Sequence, residues 1–176
     1  DSCGNTYSNG APMTSDNTCA GAGAVYVYIH DSGDWASQAF LKAPNAETSD
    51  RFGHAVALSG DTLAVAAPYE AGCGTSIVNG DSGYDTSNGC GYAGAVYVFV
   101  RSGGTWTAQA YVKAPNAEGS DWFGRPLALE GDTRQAAELR ARAPLVFLRL
   151  PYKARRLMPA RMAWPAEHTP TLPTRR

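Results

Sequence analysis

Glu47 and Asp50 stand three residues apart, close enough in sequence to act as the acid and base that glycoside hydrolysis draws from paired carboxylates. The same pair returns as Glu118 and Asp121. A group that performs one reaction is needed once, whereas a group that caps a recurring loop is needed in every copy. We therefore read both pairs as loop caps and assign no catalytic residue. His30, His54 and His168 are isolated in sequence and are expected at the surface. Gly21-Ala22-Gly23 precedes a strand-like run, where a dinucleotide-binding loop would have to open a helix. Ser59-Gly60 and Glu130-Gly131 lack the glycine framing of a nucleophile elbow.

Oxygen donors are densest in Asn79-Gly80-Asp81-Ser82-Gly83-Tyr84-Asp85-Thr86-Ser87-Asn88. They suit a hard cation such as calcium, but not in the spacing of a calcium loop. We expect that loop to be held by Asx turns and a disulfide, with no cofactor, calcium being the one ion its chemistry could admit. The cysteines support this. Cys3 and Cys19, then Cys73 and Cys90, each bracket a loop rich in Gly, Asn, Ser, Thr and Asp, with no C-x-x-C spacing and no neighbouring histidine to suggest zinc. Two local disulfides, Cys3 to Cys19 and Cys73 to Cys90, are expected, and they place the chain in an oxidising, extracytoplasmic compartment.

These residues recur because the chain repeats. Residues 22 to 62 align without a gap to residues 93 to 133 at an offset of 71, with 25 of 41 positions identical. Each copy opens on a β-branched and aromatic run, Ala24 to Ile29 or Ala95 to Val100, followed by hairpin turn residues and a second alternating run, Trp35 to Leu41 in the first copy. A loop from Lys42 to Arg51 leads to a third strand at His54 to Leu58, a tight turn at Ser59-Gly60-Asp61 and a fourth strand at Thr62 to Ala66. Helical periodicity is not sustained anywhere in residues 1 to 133. The pattern predicts four short antiparallel strands per period, with the cysteine-bracketed segment as a long loop. Trp35 and Trp106 begin matching strands and are expected to pack on the outer edge of their sheets, in preference to serving as sugar-stacking platforms.

Composition changes abruptly at Thr133. Residues 1 to 133 carry 14 acids and 5 bases, a net of −9, while residues 134 to 176 carry 10 bases and 2 acids, a net of +8. All 19 glycines lie at or before Gly131. The repeat register is lost at Arg134, and the Arg, Pro and Ala that follow match an out-of-frame translation of GC-rich coding DNA. A disordered basic arm is the alternative, and it shows no signature of a nucleic-acid-binding fold. The apolar runs are far shorter than a membrane span.

Phe52-Gly53, Ala66-Ala67-Pro68 and Phe123-Gly124, in that order and spacing among the Gly-Ala-Val-Tyr-Val strands, resemble the FG-GAP repeat. This is the blade unit of integrin α-subunit propellers and of many bacterial secreted and surface proteins. Ala66 stands where the family has glycine, a small-for-small change. The resemblance implies an all-β, incomplete β-propeller of about one and a half four-stranded antiparallel blades over residues 1 to 133, with a non-homologous basic tail over 134 to 176. Gly53 and Gly124 would permit close backbone approach, and Phe52 and Phe123 would fill the wedge between blades. The implied function is a secreted or cell-surface binding or adhesion scaffold without catalysis. Its partner would be an unidentified protein or glycan, with no nucleic acid and no membrane span. The alternatives are a piece of a secreted propeller enzyme of glycosidase or lipase type, or a calcium-binding propeller.

Overall fold

A computed structural model describes residues 8–9, 19–130 and 146–149. Among them are strands in three sheets and no helix. The first sheet has the order β1-β3-β2, formed by β1 (Ser8–Asn9), β2 (Val25–Asp31) and β3 (Asp34–Leu41). The second has the order β4-β5-β7-β8-β6, formed by β4 (Ala55–Ser59), β5 (Thr62–Ala67), β6 (Ile77–Asn79), β7 (Ala95–Ser102) and β8 (Thr105–Val112). All pairings in these two sheets are antiparallel. β9 (Leu127–Glu130) pairs in parallel with β10 (Val146–Arg149), unlike the antiparallel β4 and β5 of the unit before it. The rest of the tail from residue 134 lies outside the described residues.

The repeat in sequence is a repeat in structure down to its irregularities. The β2–β3 ladder slips register between Val27 and Tyr28, and the β7–β8 ladder slips at the matching place, between Val98 and Phe99. The expectation of four strands per period needs one correction. The cysteine-bracketed segment is not all loop: its Ile77–Asn79 adds β6 to the outer edge of β8 and makes the sheet five-stranded. β1 adds to β3 in the same way. A bond between Cys73 and Cys90, with Cα atoms 5.1 Å apart, ties the ends of this segment. Cys19 is also in a disulfide, and its expected partner Cys3 lies outside the described residues.

Burial follows the period-2 alternation of strands. Leu63, Val65, Ala67, Ala95, Tyr97, Phe99, Trp106 and Tyr111 of the second sheet turn toward Ala39, Leu41, Ala43, Ala46 and Phe52 of the first sheet and its following loop. Ala64, Ala66 and Val96 turn the other way, against Phe123, Leu127 and Leu129. β5 is buried on both faces, which is why it carries only one polar residue, Thr62 at its start. Phe52 stands edge-on to Tyr97 and Phe99, with ring centroids 5.3 and 6.1 Å away.

Trp35 does not pack as expected. It is 73% exposed, whereas its counterpart Trp106 is 1% exposed. The reason lies outside both side chains. Trp106 faces the first sheet, where Gln38 Oε1 accepts its indole N–H at 2.9 Å and the Asn9 side chain bonds its backbone N–H and carbonyl. No described residue covers the corresponding face of β2 and β3, so Tyr26 and Tyr28 are exposed there too. Identical sequence positions therefore carry unequal energies. Trp106→Ala is expected to cost about 3–5 kcal/mol by opening a cavity, and Trp35→Ala less than about 0.5 kcal/mol. Chemical denaturation of the two variants checks this, and equal losses would mean that Trp106 is not held between sheets.

Candidate functional site

The chain turns differently at the two ends of its sheets. Thr62 pairs with Val100 and Ala67 with Ala95, so the tight turns after β4 and β7 share one end. The longer connections, residues 42–54, 68–94 and 113–126, meet at the other. All the candidate chemistry that the structure brings together lies at this loop end.

Beneath its surface is a polar cluster. Lys113 Nζ lies 2.6 Å from Glu70 Oε2, and both side chains are almost wholly buried. Glu70 Oε1 also accepts the Gly72 amide at 3.0 Å. The Tyr97 hydroxyl donates to Asn45 Oδ1 at 2.6 Å, and Asn45 in turn donates to the Asp85 carbonyl at 2.8 Å. The Tyr111 hydroxyl is buried without a hydrogen-bond partner in good geometry. Burial, then the charge of Glu70, pushes both tyrosine hydroxyls up and keeps them neutral.

Asp50 sits in this cluster at 4% exposure. Its Oδ2 accepts the Glu47 amide at 2.8 Å, and Asp121 accepts the Glu118 amide at the same distance. Both acidic pairs thus cap their loops through the backbone. The two copies differ in burial, because Asp121 is only half-buried. Burial pushes the Asp50 carboxyl up to about 7, with the charges of Glu70 and Glu47 adding to that and the Glu47 amide and Lys113 opposing it. The carboxylate that influences Asp50 most is therefore Glu70, twenty residues away in sequence, ahead of Glu47.

Asp85 caps the cysteine-bracketed loop. Its Oδ2 accepts the Gly74 amide at 2.6 Å and its Oδ1 the Ser87 amide at 2.8 Å. Partial burial works to raise this carboxyl, but the Ser87 and Gly74 hydrogen bonds outweigh it and hold the group below its usual range. With both oxygens taken by amides and Asp81 the remaining acid, the loop does not fit a calcium ion, and no group of three or more His, Cys, Asp or Glu side chains gathers among the described residues. His30 and His54 are exposed, and His30 rests against the Trp35 ring at 5.1 Å. His168 lies outside the described residues.

Above the buried cluster is a surface that the sequence reading missed. Tyr69 stacks on Trp122, centroids 6.1 Å apart and planes 12° from parallel, and meets Tyr92 edge-on at 5.0 Å. The Arg51 guanidinium lies over the Tyr69 ring at 4.0 Å and that of Arg125 over Trp122 at 4.9 Å. The backbone beneath is the same in both copies. Ser49, Arg51, Phe52 and His54 donate to Ala20, Gly21, Ala22 and Arg51, as Ser120, Trp122, Phe123 and Arg125 donate to Gly91, Tyr92, Ala93 and Trp122. The side chains are not. Arg51 becomes Trp122, Gly21 becomes Tyr92 and His54 becomes Arg125. Mismatches at the 71-residue offset were the available signal.

Residues 35–99 match the family model of the FG-GAP repeat. That segment carries an FG-GAP repeat. The matched segment runs from β3 through β7, so one sequence unit straddles two sheets and its Phe52-Gly53 lies at their junction. At that junction the Phe52 amide donates to Ala22 and the Gly53 amide to Ala66. Ala66, Ala67 and Pro68 of the same unit are fully buried. No curated protein and no solved structure matches the chain.

The buried cluster makes stability depend on pH. Asp50 binds its proton more tightly folded than unfolded, so the folded chain keeps a proton that the unfolded chain loses between pH 3.8 and about 7. Stability attributable to Asp50 then falls as pH rises through that window. Asp50→Asn, which keeps an acceptor for the Glu47 amide, should flatten the dependence and be more stable than the parent at pH 8 by on the order of 2–4 kcal/mol. Urea titrations across pH give the slope, and an unchanged slope would clear Asp50 of this role. Removing a charge from the buried pair acts in the opposite sense: Lys113→Met leaves Glu70 buried and unpaired and should cost about 3–5 kcal/mol at neutral pH, read from the same titrations.

Proposed function

We propose that the chain is a non-catalytic binding module of an extracellular FG-GAP propeller and that it holds its ligand at the loop end. The observation that carries this reading is the surface of Arg51, Tyr69, Tyr92, Trp122 and Arg125, in which Arg51, Tyr92, Trp122 and Arg125 stand at positions whose residues differ between the copies on a backbone that does not. Residues that build the fold recur with the repeat, such as Phe52 and Phe123 or Asp50 and Asp121. Arg51, Tyr92, Trp122 and Arg125 do not, as expected of a function grafted onto a repeated scaffold. Tyr92 and Trp122 are 47% and 40% exposed, and aromatic rings and arginine are the side chains most often found to dominate binding surfaces.

The acidic groups support the absence of catalysis, since Asp50, Asp85 and Asp121 are spent on backbone amides and Glu70 on Lys113. The Cys73–Cys90 bond favours an oxidising environment outside the cytoplasm. Among the described residues no helix is long and apolar enough to cross a membrane. The reading is tested by probing an array of immobilised glycans and matrix proteins with the whole chain and with Trp122→Ala. A signal at least several-fold weaker in the variant, with Tm unchanged, is expected. Equal signals for the two proteins, or none for either, would refute a binding site on this surface.

A further inference from the structure

Building on that reading, we propose that the surface of Arg51, Tyr69, Tyr92, Trp122 and Arg125 recognises an acidic glycan, a chain of sugar rings bearing uronate or sulfate groups. Residues 19–130 hold five basic side chains. Lys42 and Lys113 are buried, and Lys113 is bound to Glu70. Arg101 is bound to Asp61 at 2.8 Å. Arg51 and Arg125 remain: both are exposed, neither makes an ion pair with a described residue, and both lie on the rings of this one surface. In a segment so rich in acid, this is where an anion is received.

A guanidinium lying over a ring uses its face on the π cloud and keeps N–H groups at its edge for the two oxygens of a carboxylate or sulfate. Contact with the ring also limits its rotamers before the ligand arrives, which reduces the ordering cost of binding. Beside the cations, the exposed portions of the Tyr92 and Trp122 rings offer an apolar face to the C–H surface of a pyranose. The carboxylates of an acidic peptide would leave that face unused, and this favours the glycan. The backbone adds a separate reason. Arg51, Tyr92 and Trp122 all have positive φ, at 57°, 63° and 52°, a conformation that costs a side chain other than glycine stability. At the position of Tyr92 the first copy has Gly21, for which the same conformation is free of that cost. An exposed ring held at such a position is explained by what it contacts from outside.

The whole chain is passed over immobilised heparin, polygalacturonate, neutral dextran and poly-glutamate. Retention on heparin or polygalacturonate and not on dextran is expected, weakening as salt is raised, and the two acidic glycans separate sulfate from carboxylate as the preferred anion. Arg51→Gln and Arg125→Gln should each weaken retention on the order of tenfold. Tyr92→Gly should also weaken it while leaving Tm equal or higher, a combination that a packing role for Tyr92 would not give. Retention on poly-glutamate alone would reassign the ligand to an acidic peptide and overturn the glycan. Equal retention on dextran, no retention on any matrix, or arginine variants that bind like the parent would each overturn the proposal. Should Trp122→Ala weaken binding on the broad array while the arginine variants do not, the surface binds a ligand but not an anionic one.

Discussion

The close approach of two backbones at each sheet junction sets the terms for the remainder of the molecule. Gly23 has φ of 86°, and a Cβ there would lie 2.0 Å from the Phe52 carbonyl oxygen; at Gly94, with φ of 81°, it would lie 2.4 Å from that of Phe123. Only glycine permits the distance, and it takes the dihedral without strain. The contact lets Phe52 and Phe123 donate to the carbonyls of Ala22 and Ala93, which seats each Phe-Gly pair beside the start of its own hairpin. Once seated, Phe52 presents its ring to Tyr97 and Phe99 of the next sheet. One steric allowance therefore fixes the relative placement of successive sheets and of the loops that leave them.

The polar cluster at the loop end acts on the same junction by different physics. Asn45 and Asp50 belong to the connection after β3, while Glu70, Tyr97 and Lys113 belong to the second sheet and its loops. A buried ion pair contributes little net stability, because desolvation offsets its attraction, yet any other register would leave Glu70 or Lys113 unpaired at a cost of several kcal/mol. The cluster thus penalises misplacement more than it rewards placement. Hydrophobic contact draws the sheets together without a preferred register, and the ion pair with the Tyr97–Asn45 bond supplies one. That division of labour explains why charged groups are kept inside a wedge that Ala, Val and Leu could otherwise fill.

Much of this was legible before any coordinates. Strands β2 to β5, β7 and β8 announce themselves by alternation and by turn residues of high positive-φ tolerance, and the Phe-Gly pairs mark the junctions. β6 did not, because three residues, Ile77 to Asn79, between turn formers are too few to show a period. The difference between Trp35 and Trp106 is invisible locally, since the two occupy equivalent positions and their burial depends on which sheet lies opposite. Sequence places Asp50 beside Glu47, whereas its more consequential neighbour is Glu70, brought near by the passage of β4 and β5. The ring and arginine surface is marked by nothing that the copies share.

Divergence between copies at these positions has a physical cause. In a repeat, a shared residue is under the constraint of packing in every unit, so it can change only if each junction tolerates the change. Positions 21, 51 and 54 and their partners 92, 122 and 125 escape this. Their backbone hydrogen bonds are the same in both copies although the residues differ, and Arg51, His54, Tyr92, Trp122 and Arg125 are exposed. The fold determines where these side chains stand and leaves open what they are. The left-handed conformation at Arg51 and Trp122 turns both outward from one loop geometry, and the 71-residue offset sets them on consecutive units. A surface of this kind can be altered one residue at a time without disturbing the wedge beneath it. Here the alterations converge on rings and guanidinium groups in mutual contact, which independent drift at separate loops would not be expected to produce.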